Sequence, residues 1–311
     1  MQSKFELNIL GCGSATASLR HFPSCQVLNI RDNLFMIDCG EGAQLQLRKM
    51  SLKYARLGHI FISHLHGDHC FGLPGLVSTM ALLGKTGEIT IHTFDEGRQI
   101  FGEILGFFCR ELPFNVRFNV ISPTDRQTIY EDDAITVESF PLFHRVPTVG
   151  FLFAEKPKPR HIRGDMAKYH AVPHYMMNDL RMGADFTAAD GTVIPNEALT
   201  TAADPCVSYA YCSDTVRSRR VAEAVAGVDW LYHEATYDAS LSQKARARGH
   251  STSADAARIA LEAGAKHLIL GHFSKRYIDT APLVAEARAI FPSTIAAEEC
   301  LTIDLTTPPR L

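Results

Sequence analysis

The chain has 311 residues, enough for one large domain or two small ones, and 46% of them are hydrophobic, ample for a buried core. Charged residues make up 21% and the formal net charge is −3, so no whole-molecule field draws the protein to nucleic acid or to an anionic membrane. Any basic surface must be local.

The opening MQSKFELNIL interrupts its apolar residues with Lys4 and Glu6, and the longest weakly polar stretch, 72–84, contains Pro74 and is too short to span a bilayer. Neither a secretion signal nor a membrane helix is expected. Eight cysteines are scattered without a CxxC pair and read as reduced thiols of a cytoplasmic protein, mostly in its core. Short apolar runs rich in β-branched or aromatic residues predict strands at 5–10, 25–30, 34–38, 59–63, 88–93, 116–121, 134–140, 148–154, 207–212 and 267–271. Helical spacing falls at 41–50, 71–83, 96–110, 216–226, 253–263 and 281–290, the last behind Pro282 as a first-turn proline. Strands arrive in groups before helices intervene, which predicts a layered α/β fold with two sheets rather than strict βαβ alternation.

Residues 155–205 break this rhythm. They open with Lys156-Pro157-Lys158-Pro159-Arg160, prolines spaced as in an extended stalk. From 156 to 181, Lys156, Lys158, Arg160, Arg163, Lys168 and Arg181 stand against Asp165 and Asp179, a local charge of +4. A charge run alone is usually a solvated loop, but one this long inside a compact domain is usually functional or disordered, so the segment is a candidate protrusion.

The stretch SHLHGDH, 63–69, places His64, His66, Asp68 and His69 in one turn after the apolar Ile60-Phe61-Ile62. As ordinary core these side chains would be costly, because buried polar groups need partners, and a divalent cation, or two, supplies one for all of them. Imidazole and carboxylate without cysteine suit zinc and argue against a closed thiolate site. Further ligand types stand just past predicted strand ends: His144 in FPLFH, Asp214 in YCSDT and His272 in LILGH. Each has a plain reading, as a loop histidine, a helix N-cap or a surface group. Together they complete five histidines and two aspartates.

HLHGDH with downstream His144, Asp214 and His272 resembles the metallo-β-lactamase superfamily, whose fold is a four-layer αββα sandwich with a dinuclear metal site on its rim. The resemblance implies two zinc ions per subunit, one held by His64, His66 and His144, the other by Asp68, His69 and His272, with Asp214 bridging. LGCGSATAS at 10–18, IDCGEGAQLQL at 37–47, YCSDT at 211–215, HEAT at 233–236, GHST at 249–252 and HFSKRY at 272–277 are together similar to the ribonuclease Z family, endonucleases that trim the 3′ end of precursor tRNA.

Gly11 and Gly13 do not make a dinucleotide fingerprint, since Thr16 takes the third position; they suit a loop close to the site. Asp38 either orients a ligating imidazole or is an ordinary turn aspartate. The resemblance implies hydrolysis in which metal-activated hydroxide attacks the phosphodiester, Asp68 orienting or deprotonating the water. His250, paired with Glu234, would protonate the leaving ribose 3′ oxygen, and Ser274, Arg276 and Tyr277 would bind the phosphate, although Arg276 also reads as plain surface. It further implies a single domain over 1–311 with 155–205 as an inserted arm that grips the tRNA elbow, and a homodimer in which one arm serves the other subunit's site. Where bacterial arms show a Gly-Pro pair and a lysine-rich tip, this chain has Val172-Pro173-His174-Tyr175 and Asn178 to Gly183, a departure that predicts a weaker grip. Two alternatives remain: a general phosphodiesterase or related hydrolase of small substrates, and an RNA- or metal-binding protein without turnover.

Overall fold

The computed structural model describes residues 4–16, 18 and 20–309; Ala17 of the LGCGSATAS segment and the first three residues of the opening lie outside them. Alternating apolar residues build β1 (Phe5–Gly11), β2 (Cys25–Ile30), β3 (Asn33–Ile37), β4 (Leu57–Phe61), β5 (Glu88–Thr93) and β6 (Asn115–Val120). Then follow β7 (Gln127–Glu131), β8 (Ile135–Pro141), β9 (Val149–Glu155), β10 (His161–Ile162), β11 (Phe186–Thr187), β12 (Val193–Ile194) and β13 (Thr200–Thr201). The last are β14 (Ser208–Cys212), β15 (Trp230–Glu234), β16 (His267–Gly271), β17 (Thr294–Ala296) and β18 (Thr302–Asp304). Between them lie α1 (Ala43–Lys49), α2 (Gly67–Cys70), α3 (Leu73–Leu82), α4 (Asp95–Phe108), α5 (Gly164–Tyr169), α6 (Met177–Arg181) and α7 (Asn196–Leu199). Four more, α8 (Arg219–Ala224), α9 (Ser242–Ala247), α10 (Ser253–Ala263) and α11 (Ala281–Arg288), complete the set.

Two seven-stranded sheets form, ordered β18-β1-β2-β3-β4-β5-β6 and β17-β16-β15-β14-β9-β8-β7. The period of two in the strands explains how the first sheet packs on both faces. Phe5, Leu7, Ile9, Leu28, Phe35, Ile37 and Phe61 join the second sheet's Phe151, Phe153, Tyr209 and Tyr211. The alternate residues Leu10, Val27, Leu34, Met36 and Ile60 join Leu47, Leu76, Met80, Phe101 and Leu105 from α1, α3 and α4. Phe61 is the seam, its ring 5.5 Å from Phe151 and 5.3 Å from Phe153. Burying a side chain of this kind contributes roughly 1.5–3 kcal/mol. With α8, α10 and α11 packed into the second sheet's side of the core, these layers are the αββα sandwich of the metallo-β-lactamase fold.

Parallel pairing decides where chemistry can sit. β3, β4 and β5 run parallel, as do β14, β15 and β16, so their C-terminal ends deliver loops to a common rim. Asp38, His64, Asp214 and His272 each follow such an end, and Glu234 is the last residue of β15. The helix predicted from 216 starts at Arg219, with Ser218 as its side-chain cap, so Asp214 is free of that duty.

Glu155–Cys206 is a second compact unit. It is folded rather than a structureless loop: β10 pairs with β13, β11 with β12, and Ala167, Val172, Leu180, Phe186, Ile194 and Leu199 form its own small core. The side-chain amide of Asn196 ties this core together, donating to the Leu180 and Ala184 carbonyls at 2.8 and 2.7 Å. The Pro-spaced opening, 156–160, and the return, 202–206, lack regular structure.

Candidate metal centre

Asp38 follows β3 with a left-handed backbone, φ +55°, uncommon for a non-glycine residue and here held by a constraint. The constraint is its carboxylate, buried and accepting from the Ser63 N–H at 2.8 Å, the Ser63 hydroxyl at 2.9 Å, the Tyr211 hydroxyl at 2.7 Å and His69 Nδ1 at 2.7 Å. Fixing that nitrogen leaves His69 Nε2 as the lone-pair side of the ring. His144 is fixed in the same manner, its Nδ1 donating to the Gly249 carbonyl at 2.7 Å. His272, also left-handed at φ +57°, has its Nδ1 2.9 Å from the Thr236 hydroxyl, which donates onward to Glu234 Oε2 at 2.6 Å.

The three freed Nε2 atoms, of His69, His144 and His272, are buried and have no hydrogen-bond partner among the described residues. Such orphans are costly unless something binds them. They converge on Asp214. Its Oδ2 lies 3.6 Å from both His64 Nε2 and His144 Nε2, and its Oδ1 lies 3.5 Å from His69 Nε2 and 3.0 Å from His272 Nε2. Asp68 Oδ2 stands 3.5 and 3.6 Å from His69 and His272 on that second side, and is itself gripped at 2.6 Å by the backbone N–H of Ala15, in the glycine-bearing loop. Two ligand groups result, His64–His66–His144–Asp214 and Asp68–His69–His272, each with its ligand atoms within 4.8 Å of one another. An all-N/O donor set with orphaned imidazole nitrogens fits a pair of divalent cations such as zinc.

Burial pushes the pKa values of His64 and His66 down, which keeps them as neutral ligands. Burial would raise Asp68 and Asp214, but the neighbouring imidazoles hold both carboxyls below the ordinary range. Burial also opposes charge on His69, yet Asp38, Asp68 and Asp214 together hold its pKa well above normal, and a cation would take that proton's place.

Beside the ligands, His250 Nδ1 is 3.0 Å from Glu234 Oε1 and 3.9 Å from Asp214 Oδ2. Burial lowers the His250 pKa, but the Glu234 carboxylate outweighs it and the value rises to about 9. Glu234 is fully buried and also accepts from the Thr215 N–H at 2.8 Å. Ser274, Arg276 and Tyr277 follow His272. Arg276 lies over the Tyr237 ring at 5.1 Å, and Tyr237 in turn is 6.2 Å from the His250 ring. The Tyr277 hydroxyl is engaged with Asp238, donating to its carboxylate at 2.7 Å.

Ser63, Tyr211, Thr236 and Gly249 carry the orienting contacts although sequence reasoning gave them no role. Each lies inside a segment that the sequence singles out, but only the fold shows which atom meets which imidazole. In the second unit, Lys158 is tied to Glu155 at 2.6 Å and Arg160 to Thr200 at 2.8 Å, whereas Arg163, Lys168 and Arg181 are exposed. The local +4 is therefore only partly available to a ligand.

A family model described as Anti-Pycsar protein Apyc1 matches residues 5–156. The protein called ribonuclease Z in Bacteroides fragilis (strain YCH46) is 52% identical over 302 residues, covering 97% of this chain and 99% of that protein. Among solved structures, the short form of human tRNase Z superposes with a TM-score of 0.70 at 27% identity, covering 98% of this chain and 100% of that one. The metallo-beta-lactamase fold protein YhfI from Bacillus subtilis, at 17% identity and a TM-score of 0.67, covers 96% of this chain and 99% of its own and is alike in fold.

Proposed function

This chain belongs to the ribonuclease Z family, and from that premise we propose that it is a zinc-dependent endoribonuclease that removes the 3′ trailer from precursor tRNA. The observation that carries the reading is Asp214, with each carboxylate oxygen facing its own pair of buried imidazole nitrogens. His64, His66 and His144 would hold one ion, Asp68, His69 and His272 the other, and Asp214 would bridge them. When bound, the two ions lower the pKa of a water toward about 7 and offset charge on the phosphate oxygens.

The chain's own groups supply the rest. Asp68, held by the Ala15 N–H, orients the attacking water. His250, kept protonated by Glu234, stands where it can give its proton to the departing ribose 3′ oxygen, leaving a 3′-hydroxyl on the tRNA. Asp38, Thr236 and the Gly249 carbonyl hold the ligating rings at the correct nitrogen. Ser274 and Arg276 lie close enough along the chain from His272 to meet the phosphate; Tyr277 contributes indirectly, through Asp238.

The folded unit at Glu155–Cys206 is the arm of this proposal. Its exposed Arg163, Lys168 and Arg181 suit sequence-independent phosphate contact, and exposed Tyr169 and Tyr175 offer stacking faces. A homodimer is supported by exposed Ile100, Phe107 and Phe108 on α4, apolar side chains that water alone covers poorly; a monomer mass by light scattering at micromolar concentration would refute it. All eight cysteines are free thiols, which supports action in the reducing cytoplasm. Among the described residues no helix is long and apolar enough to cross a membrane.

The deciding experiment is cleavage of an end-labelled precursor tRNA with and without chelator, beside a small chromogenic phosphodiester. Chelator-sensitive release of the trailer is expected. Hydrolysis of the small diester alone would replace the reading with a small-substrate phosphodiesterase.

A further inference from the structure

We propose that Arg145 and Arg246 form a phosphate-binding pair that holds the RNA backbone next to the bond being cut; the assignment rests on the nuclease reading. The two arginines come from separate segments, Arg145 from the loop after His144 and Arg246 from α9, and both line a cleft of about 600 Å³ whose wall includes His144 and Gly249. Arg246 also lines a second cleft, of about 880 Å³, that reaches His250. The clefts therefore flank the metal centre, with Arg246 on the ridge between them.

Pairing distinguishes these cations from their neighbours. Arg217 and Arg219, in the larger cleft, are bonded to Glu262 and Glu223. Arg145 and Arg246 are exposed and have no acidic partner among the described residues. Basic residues in the last turn of a helix complement its dipole, and that alone would account for Arg246. It would not account for Arg145, which reaches the same cleft from another loop. The two segments are locked to the chemistry: His144 Nδ1 donates to the Gly249 carbonyl, and Gly249 leads directly to His250. Two unneutralised cations beside a site built for divalent cations would repel it unless an anion lay between, and a chain of phosphodiesters supplies one. A small diester fills only the cutting position, so the pair acts on polynucleotides.

The test is the zinc-loaded full chain carrying Arg145→Ala with Arg246→Ala, against Arg217→Ala with Arg219→Ala. For the first variant, the ratio of kcat/KM on precursor tRNA to kcat/KM on the small phosphodiester should fall at least tenfold. The slope of log kcat/KM against log salt should lessen by about 0.7–0.9 per lost contact. Measured zinc content shows that the centre is still loaded. Removing the two paired arginines should move neither readout. An unchanged ratio and slope in the first variant, or an equal drop in the second, overturns the pair. If the wild type does not cut precursor tRNA, the nuclease reading fails, and equilibrium binding of the same RNA still decides the arginines: binding that lacks the slope difference, or no binding, overturns them.

Discussion

A buried imidazole with one nitrogen bonded to the protein has only the other to offer a cation, and His69, His144 and His272 are all in that state. His250 differs, since its Nδ1 faces the Glu234 carboxylate, and the proposed mechanism asks it for a proton rather than a lone pair. Substituting the two classes should separate them. His66→Ala is expected to lose zinc and activity together, whereas His250→Ala should keep its zinc and lose roughly 10²–10⁴-fold in turnover, read by metal analysis beside kinetics. Full zinc loss in His250→Ala would contradict the division of labour. Away from the centre, His21 Nδ1 meets Glu299 Oε2 at 3.0 Å. The Glu299 hydrogen bond raises the pKa of His21 against burial, and His21 lowers that of Glu299, which burial alone would raise. The histidine's contribution to stability is complete below its unfolded pKa of about 6.5 and fades as pH rises through the folded value. The carboxylate's is complete above about 4.3 and fades as pH falls. The gap in urea midpoint between wild type and His21→Asn should thus be widest at mildly acidic pH and narrow toward pH 9; widening over that range would sink the assignment.

At the scale of elements, the site is a set of turns at strand ends, and their backbone tolerances matter as much as the ligands. Gly249 has φ +76°, and a Cβ there would lie 2.8 Å from His144 Nδ1 and 3.3 Å from the Arg145 backbone nitrogen. Gly249→Ala should therefore weaken zinc binding about 10–100-fold by turning the His144 ring, measured by competition with a chromogenic chelator. Undiminished affinity would mean that the carbonyl contact does not set the ring. The loop 63–69 was legible from sequence because four ligating side chains, three imidazoles and a carboxylate, lie within six positions, so no tertiary knowledge was needed to group them. The strand β15 was not. Its sequence, Trp230 to Glu234, ends in His233 and Glu234, both fully buried, and such a polar pair breaks the apolar run that signals a strand. Those groups are affordable inside only because Thr215, Thr236 and His250 reach Glu234 from other loops. The polar edge strand β7 gave no apolar run either.

For the whole molecule, the segment 155–205 can be removed without breaking the strands that flank it, because Ala154 and Ser208 are already paired across β9 and β14. Replacing it with a short Gly/Ser linker should raise KM for precursor tRNA while leaving hydrolysis of a small phosphodiester in place; equal loss on both substrates would deny it the role of an arm. The residue types of the centre, most of the strands of the two large sheets, and the basic stretch 156–181 of the insertion were written in the chain, since each depends on neighbours a few positions apart. Other features depend on groups tens to hundreds of residues distant: which oxygen of Asp214 faces which imidazoles, which nitrogen of each ring is free, and that Arg145 and Arg246 line one cleft. Such pairings exist only once two sheets have stacked and set their strand ends side by side, so the fold, and not the sequence pattern, decides them.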